Sequence, residues 1–103
     1  KGKIFKKHLD NFAVKYSNII KCVTGKGLIG AIIFKSTEKI NAKEIADKIS
    51  MNCFNKNLLL VNTGRDSIKF GPPLTITSKV LNQSMIILEN SIKKFLNENS
   101  KKL

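Results

Sequence analysis

Phe5, Leu9, Phe12, Tyr16 and Ile19 recur at steps of 4, 3, 4 and 3 near one end of this chain. Leu81, Met85, Leu88, Ile92 and Phe95 repeat the same steps near the other. Each set lines one face of an amphipathic helix, predicting a helix over 3–18 and another after an N-cap at Thr77. A one-sided helix persists in water mainly by packing that face on something else. With 103 residues, 42% of them hydrophobic, the chain has room for one small domain and enough apolar matter for a core. A domain of this size buries only roughly 65% of its unfolded surface, so a partner or second domain would add to a thin margin of stability.

The middle of the chain supplies what the helices need. Leu28-Ile29-Gly30-Ala31-Ile32-Ile33-Phe34 predicts a strand buried on both faces, with Gly30 marking a bulge or a close backbone approach. Residues 19–23 form a short transition, extended at most, and Thr24-Gly25-Lys26-Gly27 reads as a turn. Asn41 followed by Glu44 is a capping-box variant ahead of the stripe Ala42, Ile45, Ala46, Ile49 and Cys53, predicting a helix over 42–53 that ends at Asn55-Lys56-Asn57. Leu58-Leu59-Leu60-Val61 and Ser67-Ile68-Lys69-Phe70 predict a hairpin of two strands about the loop 62–66, with the 28–34 strand beside one of them. Gly71-Pro72-Pro73 must end the second of these strands. The expected fold class is α+β: a small antiparallel sheet of about three strands with helices on one face, in the order helix-strand-helix-strand-strand-helix. The domain covers 1–97, and 98–103 should fray.

Lys plus Arg number 19 against seven acids, a net charge of +12, and Arg65 is the one arginine. Lys, Ile and Asn together make up 43 residues, a bias that AT-rich codons produce without selection for binding. A base-reading protein needs the planar fork of Arg, so the charge reads as a solvated surface rather than a specific nucleic-acid footprint. The longest apolar run, 28–34, falls far short of the roughly 20 residues a membrane helix needs. The chain begins at Lys1 without a leader pattern and reads as a piece of something longer, in the cytoplasm. Cys22 and Cys53 are expected to be buried thiols, and His8 a surface residue; neither catalysis nor a metal site can be built from them.

Gly25-Lys26-Gly27-Leu28-Ile29-Gly30 matches G-x-G-x-x-G, but a dinucleotide fingerprint needs a helix after the glycines, and a β-favouring run follows. Gly27-Leu28-Ile29-Gly30 matches the G-x-x-G of an RNA-clamping loop, which should be polar where Leu28 and Ile29 are not. Arg65 is either a solvated turn residue or an anion contact carried on a loop. Lys69 alternates with Ile68 and Phe70, so it is either solvated on the outer face or aimed into a cleft.

Gly25-x-Gly27-Leu28-Ile29-x-Ala31, then Asn57-Leu58-Leu59-Leu60-Val61, then Ser67-Ile68-Lys69-Phe70-Gly71-Pro72-Pro73-Leu74-Thr75-Ile76-Thr77 resembles the C-terminal small domain of class III aminotransferases over about residues 5–96. The resemblance implies a domain that closes over the active site of a homodimer using pyridoxal 5'-phosphate. It implies amino transfer between an amino-acid or amine donor and an oxo acid. It also implies that the Schiff-base lysine, the acid on the pyridinium nitrogen and the phosphate cup lie upstream, so no catalytic or cofactor-binding residue falls in this segment. Two departures stand out: Thr24 replaces the family's usual Arg, and Lys69 replaces the Arg that holds the substrate carboxylate. Lys69 and Arg65 are thus the candidate substrate-binding residues. The alternatives are an aminomutase or decarboxylase of the same fold, and a small basic RNA-binding module, which the missing Arg cluster disfavours.

Overall fold

The computed structural model describes residues 2–58, 60–73 and 75–102. Lys1, Leu59 of the expected second strand, Leu74 of the proline segment and Leu103 lie outside the described residues. Helix α1 (Gly2–Lys15) leads into strands β1 (Ile20–Lys26) and β2 (Ile29–Phe34), then helix α2 (Ala42–Phe54), strands β3 (Val61–Asn62) and β4 (Ser67–Phe70), and helix α3 (Ser78–Glu98). A 3-10 turn over Ser100–Lys102 follows. The strands form one antiparallel sheet in the order β1-β2-β4-β3. α1 and α2 pack on one side of the sheet, and α3 packs against both helices. The α+β class, the hairpin and its pairing with the 28–34 strand are as expected from the sequence. None of the described helices is long and apolar enough to cross a membrane.

The sheet is one strand wider than expected. β1 runs through Gly25 to Lys26, so the reversal falls at Gly27, whose φ is +62°, and Leu28. The reason is tertiary. Gly25 and Gly30 are paired across β1 and β2, and Phe70 is paired with Gly30 across β2 and β4. A Cβ built on Gly30 would lie 2.7 Å from Leu9 Cδ1 and 2.9 Å from the Phe5 ring; one on Gly25 would lie 3.6 Å from Leu9 Cδ1. The two glycines therefore make the hollow that seats α1, and the Phe5 ring meets Phe70 edge-on at 6.0 Å between centroids. Gly25, which reads locally as part of a turn, is a strand residue, and Gly30 is the close backbone approach expected within β2, where the helix above leaves no room for a side chain.

Helices on one side leave β2 buried on one face only, not two: Gly30, Ile32 and Phe34 are buried and Ile29 is 71% exposed. Among the described residues, Val61 and Asn62 are those that pair with β4 at the sheet edge, a shorter strand than expected, and Val61 is exposed because α2 covers the other side. Cys22, expected to be buried, is exposed on the bare side, while Cys53 is buried and its thiol is pushed up by that burial. His8 is half-buried rather than a free surface residue, with its Nε2 2.8 Å from Asn82 Oδ1 on α3. Where fraying was expected, Asn99 is buried and its Nδ2 donates to the Phe95 carbonyl.

The caps read from the sequence are in place. Asn41 Oδ1 accepts from the Glu44 N–H at 2.8 Å, Thr77 Oγ1 accepts from the Val80 N–H at 3.1 Å, and Asn57 takes φ +64° after α2. One polar clip ties α1 to α3: Glu89 Oε2 accepts from Tyr16 Oη at 2.5 Å and from Lys15 Nζ at 2.7 Å. The Lys15 and Tyr16 hydrogen bonds hold the Glu89 carboxyl below its usual range. Burial, then Glu89, pushes the Tyr16 phenol well above its usual value.

Two consequences are measurable on the chain itself. Gly30→Ala overpacks α1 against β2 and should cost about 1–3 kcal/mol in denaturant unfolding. Glu89 favours its charged form when folded, so its contribution is present above its ordinary pKa of 4.5 and fades as pH falls below it. Tyr16 favours its neutral form, so its contribution holds below pH 10.0 and fades above. Melting temperature should fall at both extremes; Glu89→Gln should flatten the acid arm and Tyr16→Phe the alkaline one.

Candidate functional site

Strand alternation divides the sheet into two chemistries. Facing the helices are Ile32, Ile68, Phe34 and Phe70, all buried. On the bare side, the register sets Thr24 opposite Ala31, Ala31 opposite Lys69, and Lys69 opposite Val61, a single row across all four strands. Lys26 and Ile29 pair beside that row, and Cys22, Ile33 and Ser67 form the next row on the same face. Burial of Ile68 and Phe70 on either side of Lys69 fixes which way its side chain goes.

Thr24, Lys26, Ile29, Ala31 and Lys69 line one open concavity of about 440 Å³ on this face. Its floor is apolar and small, and its rim carries two ammonium groups and a hydroxyl. Ion pairs among the described residues involve Lys6, Lys15, Lys43 and Lys48, so Lys26 and Lys69 have no carboxylate partner among the described residues. An unpaired cation above a small apolar floor suits a compact anion such as a carboxylate.

Arg65, the other sequence candidate, is placed elsewhere. It sits exposed in the hairpin loop, where Gly64 takes φ +76° and donates its N–H to Asn62 Oδ1. Thr63 Oγ1 accepts from the Arg65 N–H, which fixes the loop backbone, and Arg65 does not line the concavity. The structure thus separates the two candidates and gives the concavity to Lys69. Sequence reasoning misses Thr24 as a site residue because the glycines after it read as a turn. Its β-branched neighbour Val23 and the run Ile19-Ile20-Lys21-Cys22 are the available signals for a strand there.

Pyridoxal phosphate needs a lysine held against it, an acid on its ring nitrogen and a phosphate cup. Every described lysine side chain is exposed or half-exposed, so the described residues of this chain do not by themselves fit that group. Among the described residues, no cluster of three or more His, Cys, Asp or Glu could hold a metal.

No family model matches the sequence. Individual relatives do. The chain is 27% identical over 89 residues to the acetylornithine aminotransferase of Wolinella succinogenes, covering 86% of this chain and 21% of that protein. It is 33% identical over 95 residues to the mitochondrial acetylornithine aminotransferase of Saccharomyces cerevisiae, covering 89% and 20%. Among solved structures, the acetylornithine aminotransferase of Elizabethkingia anophelis superposes with a TM-score of 0.76 at 27% identity, over 90% of this chain and 22% of that one. The chain spans about a fifth of the length of the curated relatives it matches. Sequence and fold point to the same enzymes: over most of its length this chain is similar to one domain-sized segment of the ornithine and acetylornithine aminotransferases.

Proposed function

We propose that the chain is the C-terminal small domain of a longer pyridoxal-phosphate-dependent aminotransferase, cytoplasmic and homodimeric, and that Lys69 binds the substrate carboxylate. The observation that carries this reading is the position of Lys69: without an ion-pair partner among the described residues, at the rim of the concavity, on the one side of the sheet that no helix of this domain covers. The segment's motifs are those of the aminotransferase small domain, and the strand position of Lys69 is the family's carboxylate-binding one.

In this reading the rest of the parent holds the cofactor, which carries the amino group between donor and oxo acid. The domain described above contributes binding and exclusion of water. The Lys69 ammonium donates to a carboxylate oxygen and fixes one end of the substrate. Ile29, Ala31 and Val61 displace water from around it when the face is covered, which strengthens the charge pairing. β4 is a sound mount for such a contact, since it is paired on both sides and its two inward neighbours are locked in the core.

In the full-length parent, Lys69→Ala should lower kcat/KM by roughly ten- to a hundredfold, the scale of one charge-assisted hydrogen bond. Lys69→Arg should retain much of the activity. An unchanged kcat/KM for Lys69→Ala, with its loss in Arg65→Ala, would move the role to Arg65. The isolated chain, mixed with pyridoxal phosphate and reduced with borohydride, should show scattered low labelling on peptide mapping. One lysine labelled at unit stoichiometry would mean that the segment holds the cofactor itself.

A further inference from the structure

Lys69 poses a chemical problem that its neighbours on the sheet can solve. A carboxylate has two oxygens, and a guanidinium fork meets both at once. An ammonium is a point donor that meets one well. The second oxygen then needs another donor or stays poorly partnered where water is excluded, which costs binding.

The register supplies that donor. Thr24 and Lys69 both face the bare side, in one row, on the two strands that flank β2. Two strand spacings put their backbones about 10 Å apart. The residue between them is Ala31, whose single methyl leaves the space above the middle strand open. The four-carbon stem of Lys69 is long enough to carry its ammonium over Ala31, and the short Thr24 side chain stands on the far side. Thr24 is exposed on this face, and no hydrogen bond among the described residues occupies its hydroxyl, so the proton is available to a ligand.

We propose that Thr24 is a second substrate-binding residue: its hydroxyl donates to one oxygen of the carboxylate whose other oxygen is held by Lys69, with Ala31 as the floor between them. The inference rests on the reading of Lys69 as the carboxylate contact and adds to it a partner and a geometry. Lys and Thr on the two strands either side of β2 together do what one guanidinium does alone. The ligand class is a carboxylate whose adjacent carbon is slim enough to lie over an alanine.

The experiment uses the full-length holoenzyme with whichever donor it turns over fastest among the proteinogenic amino acids and L-ornithine. Thr24→Val keeps shape and strand propensity and removes the hydroxyl; it should lower kcat/KM roughly tenfold, chiefly through KM. Thr24→Ser keeps the hydroxyl and should stay within about twofold of the unaltered enzyme. The decisive arm is the double variant. With Lys69→Arg in place the fork meets both oxygens, and adding Thr24→Val should then cost less than about twofold. A merely structural role for Thr24 predicts the same penalty in both backgrounds and a lowered melting temperature in each.

If Lys69→Ala is costly and Thr24→Val is silent, or if Thr24→Val costs the same beside Lys69 and beside Arg, the pairing is overturned while the reading of Lys69 stands. If none of the donors is turned over, or Lys69→Ala is silent, the proposed function itself falls.

Discussion

The close seating of α1 on the glycines of β1 and β2 is the contact from which the rest of the structure follows. Phe5 and Leu9 are fully buried because Gly25 and Gly30 leave a hollow beneath them, and Phe70 closes the hollow on the third strand. A glycine inside a strand weakens it on its own account, through backbone entropy and a missing side chain to pack. Here the loss is offset by two large apolar side chains taken wholly out of water, each worth about 1.5–3 kcal/mol. The G-x-G-x-x-G spelling thus belongs to helix-on-sheet packing rather than to phosphate binding. Once α1 and α2 occupy one side, strand parity commits Thr24, Ala31 and Lys69 to the other. The core and the candidate site are two consequences of the same register.

That coupling explains what can be read from residues alone. The three helices and their caps are local: stripes at steps of 3 and 4 and an Asn or Thr at the right offset are enough. The outward side of Lys69 is local too, because Ile68 and Phe70 flank it. β1 is not local. Nothing within a few residues of Gly25 says that a helix well before it in the chain needs the space, so the glycines read as a turn and the strand is hidden. The apolar run before Val61 misleads in the opposite sense, since among the described residues the pairing with β4 is at Val61 and Asn62. Cys22 departs from the general tendency of free cysteine to be buried, because it lies on the bare side of that hidden strand. Thr24 as a neighbour of Lys69 lies furthest from sequence reasoning. The two are far apart in the chain and meet only through the β1–β2–β4 register.

The charge of the chain shows the same contrast between composition and place. A net charge of +12 says little about where cations act. Lys6, Lys15, Lys43 and Lys48 are paired with carboxylates along or between helices, contacts worth a few tenths of a kcal/mol when exposed. Lys69 differs in its setting rather than its type: it stands on a rigid strand, beside a small apolar floor, with no acid paired to it among the described residues. A solvated surface charge and the proposed binding cation share one side chain, and they differ here in what surrounds it.

The shortage of arginine bears directly on the site. Eighteen of nineteen basic residues are lysine, and the one arginine, Arg65, is in a loop that does not line the concavity. A drift from Arg to Lys that costs nothing on a solvated face is not neutral where a planar anion must be gripped, because the fork is lost while the charge is kept. If Lys69 binds a carboxylate as proposed, the oxygen that a fork would have met needs another donor within reach. Strand pairing limits the candidates sharply. Of the two outward neighbours in the row, Val61 on β3 has no donor to offer, and Ala31 on β2 has only a methyl. The next position in the same row is Thr24, the first that carries a hydroxyl, and the alanine between leaves the way to it open.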